Sequence, residues 1–389
     1  MKDINFKQTE DTLFLEEEHI ILKEQLKKFV ENEVKPVAQK WESDGFIPRE
    51  VFKKMGNLGF LGITYPAEFG GSEMDVRGSV VFAEELGKST FSGFAIASLV
   101  HTDMASVHLL NAGNVEQKEK YLRDIVSGSK ISCVAVTEPH AGSDVKNIRT
   151  KAQKVGNKYL INGSKIFITN GVHADVYFVA AKTSNALQQS GNITMFIVKK
   201  DNPGLIVNKQ LDKHGWRCSD TAELFFQDCE VEEADVLGTL HKGFYAIMQN
   251  FQNERLVMGA MAMGEAQAAI DSTIEYVKQR DAFGGKLWEK QTVRHKLAEL
   301  QSKVTAARYM VYGVANKVRL GIEVIKEVSM IKVLCGELVN EVMYTCLQLH
   351  GGTGYMTGTE IERLTRDARA QSIGGGATEV MLEEVAKRM

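Results

Sequence analysis

Three stretches of the chain carry residue types able to do chemistry. The first is the helical run NERLVMGAMAMGEA, in which Glu254 is followed three, four and seven positions on by Val257, Met258 and Met261. Those residues share a helix face, so a carboxylate extends an otherwise apolar stripe. Burial there disfavours the charged form and lifts the pKa, to roughly 6–7 for a tuned base, which is what lets a glutamate accept a proton at neutral pH. A glutamate turned to the helix edge, or paired with a nearby arginine, is the competing structural reading.

The second stretch is CVAVTEPHAGSDVKN, where Thr137, Ser143 and neighbouring amides can hydrogen-bond a polar ligand while Pro139 and Gly142 shape the turn. A plain strand-to-loop connection fits the same text. The third is SIGGGATEVM, Ser372 to Met381. Its glycine triplet lacks the Lys-Ser/Thr of a P-loop and follows no parallel-sheet strand. Close backbone approach to a ligand, or a helix–helix turn, remains. His101, His173 and His214 are isolated, no histidine set has metal-like spacing, and they read as structural or surface residues.

The elements that must position these residues fall into three regions. Residues 1–128 read as an N-terminal helical domain, with apolar residues at helical spacing in EEHIILKEQLKKFVENEVKPVAQKWE. Residues 129–238 read as a β domain, in which Asn162-Gly163 between two short runs signals a hairpin. Residues 239–389 contain no proline and hold three long helical runs able to pack as an antiparallel bundle. The fold class is mainly α with a central β domain.

At 389 residues the chain exceeds the usual limit of one core. A formal net charge of -3 gives no reason to expect a nucleic-acid partner, and no uninterrupted apolar run reaches membrane-spanning length. The N-terminus has no signal-peptide core and is too acidic for a transit peptide. Five widely spaced cysteines without a CxxC pair indicate neither a disulfide framework nor a zinc site. They point to a reducing compartment: a bacterial cytoplasm or, for a processed organellar protein, the mitochondrial matrix.

Five blocks together resemble the acyl-CoA dehydrogenase family of flavoenzymes: VTEPHAGSD (136–144), KIFITNG (165–171), RCSDTAEL (217–224), QRDAFGGKL (279–287) and LQLHGGTGY (347–355). The resemblance implies that family's fold of a helical domain, a β-barrel-like domain and a C-terminal four-helix bundle. It also implies FAD as cofactor, a homotetramer, an acyl-CoA substrate as in fatty-acid β-oxidation, and electron-transferring flavoprotein as electron acceptor. Carried over by position, Val136, Thr137 and Thr169 meet the flavin ring and Phe167 stacks against it. Arg280 and Phe283 hold the pyrophosphate and adenine of a neighbouring subunit's FAD. Gln291, Gln348 and Gly352 also touch FAD, and Ser143 and Arg255 line the CoA arm.

The glycine triplet departs from the family pattern. Most members carry the catalytic glutamate at the position filled here by Gly375. The isovaleryl-CoA and long-chain branches carry it instead on the bundle helix, where this chain has Glu254. The resemblance therefore assigns Glu254 as the base, with the Gly375 N–H and a flavin ribityl hydroxyl as donors to the thioester oxygen. Missing side chains at Gly374 and Gly375 are expected to open space for branched or long acyl chains, and Ala377 replaces a threonine that often bonds FAD. The pocket floor is expected in SGFAIASLVHTDMASVHLL. A flavin oxidase of the same fold and an inactive flavin-binding scaffold are the rival readings.

Overall fold

The structure is a computed structural model and describes residues 10–183 and 192–389; residues 1–9, part of the N-terminus read above for targeting signals, lie outside it. Seven helices open the chain: α1 (Glu17–Phe29), α2 (Ala38–Asp44), α3 (Arg49–Asn57), α4 (Val76–Gly87), α5 (Ser92–Leu99), α6 (Ser106–Ala112) and α7 (Val115–Val126). Leu22, Leu26 and Phe29 of α1 are buried on the face their spacing predicts. α7 starts at a reciprocal cap, Asn114 accepting from the Gln117 N–H and Gln117 from the Asn114 N–H.

α5 and α6 are joined by a widened, π-helical turn at Val100–Ala105. The continuous stretch Ser92–Ala112 is long and apolar enough to cross a membrane by length and composition, but 89% of that window is buried inside the protein. Histidines and Asp103 interrupt it. It is a core helix, apolar on all sides because protein surrounds it.

The middle region holds β1 (Ser132–Ala135), β2 (Lys151–Val155), β3 (Lys158–Thr169), β4 (Val176–Lys182), β5 (Ile193–Lys199), β6 (Leu205–Gln210), β7 (Thr221–Glu232) and β8 (Val236–Leu237). They form one sheet in the order β6-β7-β3-β2-β4-β5-β8, with β1 parallel to β4. The hairpin expected at Asn162-Gly163 is elsewhere: β2 and β3 turn at Gly156-Asn157, with Val155 opposite Lys158. Asn162-Gly163 lies inside the twelve-residue β3, at a shift in its register against β7. The reason is tertiary. A Cβ at Gly163 (φ +151°) would stand 2.6 Å from the Thr150 Cα, so the glycine marks a crossing of two backbones rather than a turn.

Three long helices follow: α8 (Gly243–Gln279), α9 (Gln291–Arg319) and α10 (Ile325–His350). A short β9–β10 hairpin (Asp281–Ala282, Gly285–Lys286) links the first two, and α11 (Gly352–Tyr355), α12 (Glu360–Ala368) and α13 (Thr378–Ala386) end the chain. α8 packs against α4, α9 and α10, and every residue from Glu254 to Ala266 is buried. Gly87 and Gly264 permit the α4–α8 crossing, since a Cβ on either would lie within 2.3 Å of the other helix's backbone oxygens. One apolar core runs through the N-terminal helices and the bundle; a second fills the β region.

Candidate active site

Glu254 sits at the start of the fully buried part of α8 and is 7% exposed. Its stripe partners Val257, Met258 and Met261 are buried with it, and among the described residues it forms no ion pair. The Asn250 Nδ2 donates to its Oε1 at 2.9 Å. Burial pushes the carboxyl pKa up to about 8; the neighbouring Arg255 charge and the Asn250 hydrogen bond pull the other way. That lies above the 6–7 anticipated, because one neutral donor replaces little of the lost hydration.

Two asparagines flank Glu254 and strap the widened turn to α8. Asn250 Nδ2 donates to the Met104 carbonyl at 3.1 Å, and Asn253 Nδ2 to the Asp103 carbonyl at 3.1 Å. The segment expected to form the pocket floor thus runs beside Glu254. Asn250 lies one turn before Glu254 on the same helix face, a relation that helix spacing alone makes legible.

The glycine triplet meets the same helix. Gly375 (φ +67°) and Gly376 (φ +118°) adopt left-handed backbone, and among the described residues neither N–H has a hydrogen-bond partner. A Cβ on Gly375 would stand 2.4 Å from the Met258 Sδ. This corrects half of the expected opening: at Gly375 the space is already filled by Met258, one turn beyond Glu254. At Gly374 a Cβ would fit without a clash but in ordinary contact with neighbours, Ala370 O at 3.6 Å and Trp216 Cη2 at 3.9 Å.

α10 grips this segment with a stripe spaced one turn apart. Lys332 donates to the carbonyls of Gln371 and Gly376, and Ser372 Oγ to the Gly336 carbonyl at 3.0 Å. Asn340 Nδ2 lies 3.2 Å from both the Ala368 carbonyl and Ser372 Oγ. From α8, Glu265 accepts from the Gln371 side chain, and burial raises its pKa to about 8.

A second constellation lies on the β domain. The Ile166 N–H donates to the Thr137 carbonyl at 3.0 Å, bringing Val136 and Thr137 beside Phe167 and Thr169. Beneath them Lys165, fully buried, donates to the Val136 carbonyl and to Glu138 Oε1, each at 2.8 Å. Glu138 also accepts from the amides of Arg149 and Thr150. Burial would raise the Glu138 pKa, but Lys165 and these donors bring it below the usual carboxylate range. A bulge between Lys165 and Ile168 leaves Phe167 66% exposed in left-handed backbone (φ +61°). An aromatic residue held in that conformation and left in solvent marks a binding face.

The remaining residues that the resemblance assigns to FAD gather at one end of the bundle. Tyr276 of α8 stacks on His350 of α10 (ring centroids 4.3 Å apart), uniting the end of α8, the start of α9 and the end of α10. Arg280, Phe283, Gln291, Gln348 and Gly352 are all exposed there. Phe283 is 92% exposed at φ +53°, and a Cβ on Gly284, Gly351 or Gly352 would meet nothing within 4 Å. Within one chain these are two separate groups. Both fit a large planar, polar-edged cofactor: exposed aromatics, bare glycine backbone and hydroxyl donors at Thr137 and Thr169.

Arg255 is buried, and its Nε has no partner. Ser143 is exposed on a loop whose Lys146 lies 5.3 Å from the Phe244 ring at the start of α8. His101 is structural: its Nε2 lies 3.0 Å from the Ile125 carbonyl and its Nδ1 accepts from the Ser132 N–H. His19 lies close to Glu16, Glu18 and Asp75, but the Arg77 guanidinium already engages Glu16 and Asp75. The five cysteines are free and buried.

A helical–β–helical chain with this site has the build of a flavin-dependent oxidoreductase, and comparison with known proteins gives the family. The acyl-CoA dehydrogenase N-terminal, middle and C-terminal domains match residues 16–129, 133–229 and 241–389. The chain belongs to the acyl-CoA dehydrogenase family. It is 38% identical to the mitochondrial isovaleryl-CoA dehydrogenase of Pongo abelii, over 94% of this chain and 87% of that protein. It is equally 38% identical to the mitochondrial long-chain specific acyl-CoA dehydrogenase of Rattus norvegicus, over 96% and 86%. The crystal structure of acyl-CoA dehydrogenase from Geobacillus kaustophilus superposes with a TM-score of 0.92 at 40% identity, covering 96% of this chain and 98% of that one. The fold also matches the FAD complex of PigA (TM-score 0.92, 26% identity, 96% and 98% covered). The cofactor is FAD, and the reaction class is FAD-dependent dehydrogenation.

Proposed function

We propose that the chain converts an acyl-CoA thioester to the trans-2-enoyl-CoA, with Glu254 removing the α-proton and the Gly375 N–H donating to the thioester carbonyl. The observation that supports this reading is Met258, one turn from Glu254, whose Sδ lies 2.4 Å from where a Cβ on Gly375 would stand. This contact supports a carboxyl without a counter-ion and an amide without a partner meeting along one side of α8. A thioester α-proton is too weakly acidic for an unaided carboxylate. The raised Glu254 pKa narrows the gap from one side, and the fixed N–H stabilises the oxygen on which charge develops.

FAD, when bound, supplies a hydride acceptor at its N5. Val136, Thr137, Phe167 and Thr169 hold its ring, and Arg280, Phe283, Gln291, Gln348 and Gly352 hold the far end of a neighbouring subunit's FAD in a homotetramer. Arg255 and Ser143 bind the CoA arm, and electron-transferring flavoprotein takes up the electrons. The bare backbone at Gly374, where no side chain projects, favours branched or long acyl chains over straight C4 ones; at Gly375 Met258 takes up the room.

The test is anaerobic mixing of the yellow protein with straight, branched and dicarboxylic acyl-CoAs. Wild type bleaches with its substrate class, whereas Glu254→Gln stays yellow. Bleaching of that variant at the wild-type rate would remove Glu254 from the mechanism; rapid peroxide formation in air would make the enzyme an oxidase.

A further inference from the structure

Lys332 is 3% exposed on α10, and among the described residues it has no carboxylate within ion-pair distance. Its ammonium donates instead to two carbonyls, Gln371 just before the glycine triplet and Gly376 at its end. Its Cε lies 3.6 Å from the position of a Cβ on Gly375. Other charged or titratable groups that act on it are Arg255, Cys335 and Glu337. Burying a cation without a counter-ion is costly, and a neutral amide would satisfy two carbonyls as well. The charge gains value only when negative charge forms nearby.

We infer that Lys332 is the positioning residue of the oxyanion site, fixing the glycine loop so that the Gly375 N–H faces the substrate and placing a positive charge behind it. This rests on the proposed role of Gly375. Gln371 is the second anchor: its carbonyl is held by Lys332 and its side chain by Glu265, so the loop is pinned from α10 and α8 together. Gly336 lets the strap lie flat, since a Cβ there would stand 2.9 Å from the Gln371 oxygen.

The probe is acetoacetyl-CoA, a 3-oxo thioester whose enolate carries negative charge on the oxygen where it develops during dehydrogenation. On the FAD-loaded protein, the pH at which the bound probe ionises is read from its enolate absorbance, which requires no turnover. Wild type should lower that pH relative to the free probe. Lys332→Met should raise it again by about one unit or more, and slow flavin reduction about 10- to 100-fold with little change in KM. Lys332→Gln, which keeps a donor for the loop, should melt near the wild-type temperature yet ionise the probe like Lys332→Met. Lys332→Arg, which keeps the charge, should recover part of the effect. Should Lys332→Met not fold, the Gln and Arg variants decide the question. Unchanged probe ionisation in Lys332→Gln overturns the role of the charge. If wild type itself does not lower the probe's ionisation, the Gly375 assignment falls and this one with it.

Discussion

Glu254 in the bundle and Glu138 in the β domain are buried to a similar degree, 7% and 3% exposed, yet they titrate in opposite directions. Glu254 has one amide donor and is pushed up to about 8. Glu138 has a buried lysine and two backbone amides, and is held below the normal value. Burial alone does not make a base. A buried carboxyl keeps a high pKa where the fold withholds a counter-ion, and is held charged as a strut where the fold provides one.

Exchanging the two roles by mutation tests the contrast most strongly. Glu254→Gln should slow substrate reduction of the flavin by about 10^2- to 10^4-fold while leaving the protein folded and yellow. Glu138→Gln should do the reverse. It strands the buried Lys165 charge and should cost about 3–5 kcal/mol in denaturant unfolding, with FAD loss following from a loosened Thr137–Phe167 face. The double variant Glu138→Gln, Lys165→Met should recover much of that stability; if it does not, the pair is not what holds the face.

The pH dependence sharpens the comparison. The Glu254 pKa is raised on folding, so its contribution is fully present below the unfolded value near 4.5 and is lost as pH rises through about 8. The Glu138 pKa is lowered, so its contribution is present above 4.5 and is lost as pH falls through the folded value. Unfolding measured from pH 5 to 9 should therefore show Glu254→Gln gaining on wild type as pH rises. The rate of flavin reduction should climb through about pH 8 in wild type, because only the carboxylate accepts the proton.

The smallest effect concerns Gly375. Gly375→Ala puts a side chain into left-handed backbone and against the Met258 sulfur, for a loss of about 1–2 kcal/mol. Adding Met258→Ala should relieve the contact but not the backbone strain, giving partial recovery in thermal unfolding. Full recovery would mean that the contact alone excludes side chains there.

The sequence made the helix–β–helix order legible, because hydrophobic period and proline placement are local properties. Glu254 was legible for the same reason: three- and four-residue spacing fixes a helix face. What stayed hidden depends on approach between distant segments. Asn162-Gly163 reads as a turn until Thr150 crosses it. Lys165 and Glu138 are 27 positions apart, and Lys332 and Gln371 are 39 apart, with nothing in either local text to name the partner. The space at Gly375 looked empty because a missing side chain says nothing about which neighbour moves in.

The widened turn at Val100–Ala105 spends one residue more per loop than an α-helix does. Dropping a single residue there would rotate α6 by about 100° relative to α5 and present a different set of side chains beside Glu254. Because Asn250 and Asn253 tether that turn through main-chain oxygens, such a change would leave their anchor points chemically unaltered. The side chains of α6 can therefore be changed as a set without touching the carboxyl of Glu254 or the amides that hold the turn to α8.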